Sequence, residues 1–173
     1  MVLGSFVYWE SALSSAIEVS IAIAGFSGII AVFGRRNVEG WGIEEKLRMQ
    51  ILLTASAAAG LFSFLPFVLF EGGLEAEASW RIGSGTQCIW LLGISIYRSR
   101  QASIAGASSV VGIGNFMFPI FITNLLGQLV NTAIVAEAWL YLVGVLFQVT
   151  VGFTAFTTLL LGLWIQIDED DAS

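Results

Sequence analysis

The sequence contains no histidine and one cysteine, Cys88. Without histidine there is no imidazole to act as a catalytic base in a triad, to bind zinc or to ligate haem. A lone thiol in an apolar stretch gives neither a disulfide framework nor a thiolate metal site. Charge is scarce, at 12% of residues, where a soluble domain holds about a quarter. Seven basic residues scattered along the chain make no nucleic-acid surface. Most of the net charge of -6 lies in Asp168, Glu169, Asp170 and Asp171. Gly83-Ser84-Gly85 has the outline of a membrane serine nucleophile, but no base accompanies it. Lys46 falls in a loop across the bilayer from it, and no lysine lies inside a span to hold retinal. There is no HExxH, no glycine-rich phosphate loop and no pair of intramembrane aspartates. These absences predict a chain that is not an enzyme and has no catalytic residues, no metal and no cofactor.

What the chain has is hydrocarbon. Of its 173 residues 57% are hydrophobic, and the mean hydropathy is +0.86. Lipid makes such a composition workable, because apolar side chains facing lipid need no burial. The length suits a single bundle. Met1 to Glu10 lack the basic start of a secretory signal, and Val2 stands where myristoylation needs glycine. The first hydrophobic segment is therefore expected to stay as a helix.

Roughly 20 apolar residues cross the hydrocarbon core. Stretches of that order run over about 11–34, 47–70, 80–97, 112–136 and 138–167, followed by an acidic tail over 168–173. Only Glu137 separates the fourth stretch from the fifth, so that hairpin has to be tight. The third is the shortest, with Gly83, Ser84, Gly85, Thr86 and Gln87 near its start. The expected fold is all-α, a polytopic transmembrane bundle of five spans. A four-span arrangement would put the basic loops on opposite sides. With five, Arg35, Arg36, Lys46, Arg48, Arg98 and Arg100 share one side and only Arg81 lies on the other. Basic residues mark the cytoplasm, which places the N-terminus outside and the tail inside. Tyr8, Trp9, Trp80, Trp139 and Tyr141 then fall at the outer interface and Trp41, Tyr97 and Trp164 near the inner one, as amphipathic rings prefer. Trp90 is the exception, inside the third span.

Helices in lipid associate through close packing at small residues. The first span offers Ser20, Ala24 and Gly28, with Gly25 beside them; the second offers the run Thr54 to Gly60. Ala24, Gly25, Gly28 and Gly60 are the candidate packing positions. Pro66 and Pro119 are expected to kink the second and fourth helices, freeing carbonyls that need other partners.

The fourth span is the most polar. Asn124, Gln128 and Asn131 stand at helical spacing on one face, with Thr132 adjoining and Asn115 lower down. The fifth answers with Gln148, Thr150, Thr154, Thr157 and Thr158. Such groups serve either as hydrogen-bonding glue between helices or as the lining of a path for an ion or small polar solute. Glu18 stands about two turns inside the first span. A carboxylate there needs pairing, protonation or water; it marks a cation or proton site, or a bond to a neighbouring helix. Glu18, Asn124, Gln128, Asn131 and Thr154 are the candidate path residues. Arg81 is expected to snorkel or to pair with Glu71, Glu75 or Glu77. The basic loop sets topology and meets anionic lipid.

Gly25-Phe26-Ser27-Gly28 running to Arg35-Arg36, then Glu45 and Arg48, Leu65-Pro66, and Trp80-Arg81 with Ser84, resemble a loose family of small bacterial integral membrane proteins with no assigned biochemistry. The resemblance covers less than half of the chain. It implies a bacterial plasma (inner) membrane and brings no functional residues. Two functions fit: a small homo-oligomeric channel or transporter for an ion or small polar solute, or a non-catalytic accessory subunit of a larger membrane complex. Membrane lipid is a partner in either case, and nucleic acid in neither.

Overall fold

A computed structural model describes the backbone of residues 2–34, 43–105 and 111–171, and the side-chain surroundings of residues 8–29, 46–101 and 118–161. Arg35, Arg36 and Trp41 lie outside the described residues, as do the side chains of Glu45, Asn115, Trp164 and the acidic residues 168–171. The described chain is all-α. Its helices are α1 (Val2–Gly34), α2 (Ile43–Glu71), α3 (Ala76–Ala105), α4 (Val111–Val130) and α5 (Ala138–Asp171), with a π-helical turn, Asn131–Val135, closing α4. Lipid leaves no water for backbone groups, so unbroken helix is the outcome wherever the sequence is apolar. The helices overrun the apolar stretches. α1 begins at Val2, and α5 continues through the aspartates to Asp171.

Among the described residues, four helices are long and apolar enough to cross a membrane, over Tyr8–Ile29, Lys46–Glu71, Phe118–Val135 and Ala138–Leu161. The chain is a membrane protein by that measure. α3 has the length but not the apolarity. Part of its polar surface is turned inward: Ser79, Ser84 and Gln87 are all buried, while Glu77, Thr86 and Arg100 stay exposed. Burial across the bundle is inverted relative to a soluble protein. Leu61 and Ile89 are 72% and 74% exposed, while Asn131, Gln128 and Gln148 are hidden.

α2 lies against α1, α3 and α5, and its broadest interface is with α5. Small residues set that closeness. A Cβ on Gly152 of α5 would stand 3.1 Å from the Ser56 hydroxyl, and one on Gly60 of α2 would stand 3.7 Å from Cβ of Ser20 on α1. The face that α1 buries follows Leu13, Ala16, Ser20, Ile23 and Ser27. Ala24 is half-buried, and Gly25 and Gly28 turn outward with no atom within 4 Å of an added Cβ. α4 packs on α3 and α5.

One end of the bundle is aromatic. Trp9, Phe70, Trp80 and Tyr141, from four different helices, interlock there, with ring centroids 4.9 Å apart for Trp9–Trp80, 5.4 Å for Phe70–Trp80 and 5.6 Å for Trp80–Tyr141. Tyr8 and Trp139 stay exposed, as belt residues do, but Trp80 and Tyr141 are buried. Trp80 meets Trp9 and Phe70 edge to face and Tyr141 at a tilt, contacts that aromatic rings favour, so the interior competes with the headgroup layer for the same side chains.

Candidate functional site

Two polar assemblies lie between α2, α3, α4 and α5. The first is an amide column along α4, near the aromatic end. Asn131 sits at its top, where α4 gives way to the π turn. Its Nδ2 donates to Ser84 Oγ (2.8 Å) and to the Glu137 carbonyl (3.1 Å), while its Oδ1 accepts from the Glu137 N–H (2.7 Å). One side chain thus ties α3 to both sides of the hairpin. The turn itself is Ala136, in the left-handed region at φ 57°, and Glu137; the Ala136 N–H reaches back to the Asn131 carbonyl (3.0 Å). Arg81 closes the same end. It pairs with Glu77 (2.8 Å), and its Nη1 donates to the Thr132 carbonyl (2.8 Å), a group that the helix end leaves without an internal partner.

Lower in the column, Gln128 Nε2 donates to the Leu140 carbonyl (2.7 Å), and Gln87 Nε2 to that of Tyr141 (3.5 Å). Gly144 makes room for both. A Cβ there would collide with Gln87 Oε1 and lie 2.5 Å from Gln128 Nε2. The column is not saturated. Gln87 Oε1, Gln128 Oε1 and both amide atoms of Asn124 are buried without a hydrogen-bond partner among the described residues.

The second assembly is a cavity of about 450 Å³ in the other half of the bundle. Trp90, Phe121 and Phe147 wall its deep end, beside Gln148. Gln148 is 3% exposed, and its Nε2 has no hydrogen-bond partner among the described residues. Arg48 and Arg98 line the far end. Arg98 Nη2 donates to Thr54 Oγ1 of α2 (2.8 Å), and Arg48 Nη1 to the Thr158 carbonyl of α5 (3.5 Å). Among the described residues no Asp or Glu lines the cavity. A basic, partly aromatic chamber of this size suits an organic anion.

No family model, curated protein or solved structure matches the chain. The site is therefore argued from its own geometry. Asn124, Gln128 and Asn131 come together as the column, facing α3 and α5 of their own chain. Thr154 lines the cavity instead. Its hydroxyl donates to the Thr150 carbonyl (2.8 Å), and Thr150, Thr157 and Thr158 likewise bond back into α5, so these hydroxyls bridge no helices. Glu18 is brought to neither assembly; it is exposed on α1. Sequence reasoning assigned Arg48 to topology and anionic lipid and Arg98 to topology, and missed both as cavity residues. Partners 44 residues apart, such as Arg98 and Thr54, leave no local spacing signal.

Proposed function

We propose that the chain is a small transport protein of a bacterial plasma membrane. It threads the bilayer five times, with its N-terminus outside and its C-terminus in the cytoplasm, and works as a homo-oligomer. The solute is an anion, and it binds in the cavity. The observation that carries this reading is the cavity itself: two arginines at one end, a buried amide nitrogen without a partner among the described residues at the other, and no carboxylate among the described residues between. The amide column is the closed continuation of the same path. Its unpartnered oxygens are groups that a rearranged helix packing would satisfy. Topology fits as well. α3 is 30 residues long, about 45 Å as a helix, and part of its polarity, Ser79, Ser84 and Gln87, faces the bundle. Arg48, Arg98 and Arg100 then lie at the cytoplasmic end.

The test is uptake into liposomes holding the purified protein. Radiolabelled phosphate and dodecyl phosphate, both charged at neutral pH, serve as probes. The reading expects saturable uptake of at least one of them. In Arg98→Gln, which removes one charge-assisted hydrogen bond, uptake falls about tenfold. Liposomes that take up neither anion, from protein shown to be folded, overturn it. A second reading, the accessory subunit, is favoured by the outward face of α1, where Glu18 is exposed and a Cβ on Gly25 or Gly28 would meet nothing among the described residues. Co-purification of the chain with a larger complex, together with silent liposomes, would select that reading.

A further inference from the structure

We infer that a second cleft, beside the Ala136–Glu137 turn, binds an organic ammonium ion: Glu137 meets its charge, and the rings of Tyr8 and Trp139 meet its methyl or methylene groups. The site goes beyond the transport proposal. Its lining shares no residue with that of the cavity.

Among the described residues the cleft is lined by Tyr8 and Trp9 of α1 and by Glu137, Ala138, Trp139 and Leu142 at the start of α5. Its volume is about 360 Å³, at the small end for organic ligands. Two of the rings stand out from the bundle: Tyr8 is 80% exposed and Trp139 59%. Trp9 backs them, packed against Trp80 at 4.9 Å and Phe70 at 5.4 Å. Ring faces carry partial negative charge and attract a weakly hydrated cation, tryptophan most strongly. Glu137 is the one acid among the described lining residues, and it is exposed. Its backbone N–H and carbonyl are both engaged by Asn131. Its carboxylate makes no ion pair among the described residues. Arg81, which reaches the same hairpin, pairs with Glu77 and does not line the cleft.

Other ligand classes fit less well. An anion meets the carboxylate, and among the described residues no Lys or Arg lines the cleft. A bare metal ion needs several oxygen ligands, which one carboxylate among rings does not supply. A neutral hydrocarbon leaves the carboxylate unused. α5 begins at Ala138, and the positive end of its dipole opposes a cation there. Glu137, one residue before, offsets that charge. The rings alone would therefore not hold the ligand, and the carboxylate is required.

The shared chemistry, an ammonium group with apolar substituents, belongs to free organic cations and to choline headgroups of lipid. Binding is measured on the intact protein in dodecyl maltoside micelles, which carry no ammonium. The method is saturation-transfer NMR on the ligand protons, with protein-free micelles as the blank. The probes are choline and its uncharged isostere, 3,3-dimethylbutanol. Choline is expected to bind with a Kd on the order of 1 mM, as a few weak contacts of this kind allow. It should bind about tenfold more tightly than the isostere. Glu137→Gln should weaken choline about fivefold and leave the isostere unchanged. Glu137→Asp, which keeps the charge, guards against misfolding and should recover part of the affinity. Trp139→Leu and Tyr8→Leu should each weaken choline about threefold, whereas Tyr8→Phe, which keeps the ring, should not. Displacement of choline by dihexanoyl phosphatidylcholine, added below its micellar concentration, identifies a lipid headgroup as the ligand, and lack of displacement identifies a free cation. Equal affinity for choline and the isostere, or choline binding untouched by Glu137→Gln in folded protein, overturns the inference. Anion uptake bears on the cavity alone and should be the same in Glu137→Gln as in the parent protein, so the two proposals fail separately.

Discussion

The two ends of this bundle share α2, α3 and α5 and use them to opposite effect. At the aromatic end, rings from four helices interlock and one asparagine ties three segments together. At the arginine end α2, α3 and α5, joined by α4, leave a chamber of about 450 Å³. Hydrocarbon burial explains neither, since lipid is as apolar as leucine and drives no association. What differs is the packing of large rings and the satisfaction of polar groups. A direct way to break the comparison is to truncate one side chain at each end. Trp80 is 5% exposed and touches Trp9, Phe70 and Tyr141, so Trp80→Ala should cost about 3 kcal/mol. This is the low end of the range for Trp truncations, because in lipid the lost contacts and the new void count but the water-transfer term is small. Ile94 already faces the chamber, and Ile94→Ala should cost under about 1 kcal/mol by the same reasoning. Reversible unfolding in mixed detergent micelles measures both. Equal costs would dissolve the distinction between the ends.

The amide column sharpens it. Gly144 is the gap through which Gln87 and Gln128 reach α5. Gly144→Ala forces two buried amides off their carbonyls and should cost about 2 kcal/mol, the scale of overpacking with lost hydrogen bonds. Gly93, on α3, has nothing within 4 Å of an added Cβ. Gly93→Ala should be neutral, or stabilising by up to about 1 kcal/mol through helix propensity. The same unfolding assay compares them. A neutral Gly144→Ala would mean that the column repacks at no cost and is not a rigid part of the fold.

How much of this was legible follows from which contacts are local. Five helices in an all-α chain, the tight hairpin at Glu137 and the grouping of Asn124, Gln128 and Asn131 on one face all depend on spacing within a segment, and spacing is visible in sequence. The π turn was not legible. Alanine carries no cue for the left-handed conformation, which glycine or asparagine normally supplies, and Ala136 adopts it under the hold of Asn131. Nor did composition say that α3 would hide its serine and glutamine face. Its polarity reads equally as a short or irregular span. The cavity is set by which helices become neighbours, and no single segment encodes that. The inward turn of Trp80 and Tyr141 was missed for a related reason: the headgroup layer and the bundle interior lie at the same depth, and only the neighbours decide between them.

One expectation met its partner in an instructive way. Pro66 has no N–H, so the Phe62 carbonyl four residues before it loses its helical bond. The Tyr141 hydroxyl, from α5, donates to that carbonyl at 2.5 Å. The proline therefore creates the acceptor that anchors the aromatic end. Tyr141→Phe alone should cost about 1 kcal/mol, the net worth of one such bond. Pro66→Ala restores an N–H to the helix and gives Phe62 its own partner. In that background Tyr141→Phe should cost only a few tenths of a kcal/mol, and the cycle of the four proteins should show a coupling of roughly 0.5 to 1 kcal/mol. The effect is small beside the loss of Trp80. It tests something the larger effect leaves open, namely whether the aromatic end is held by rings alone or also by a backbone vacancy that a proline opens and a tyrosine from another helix fills. Additive costs across the cycle would leave the rings as the sole cause.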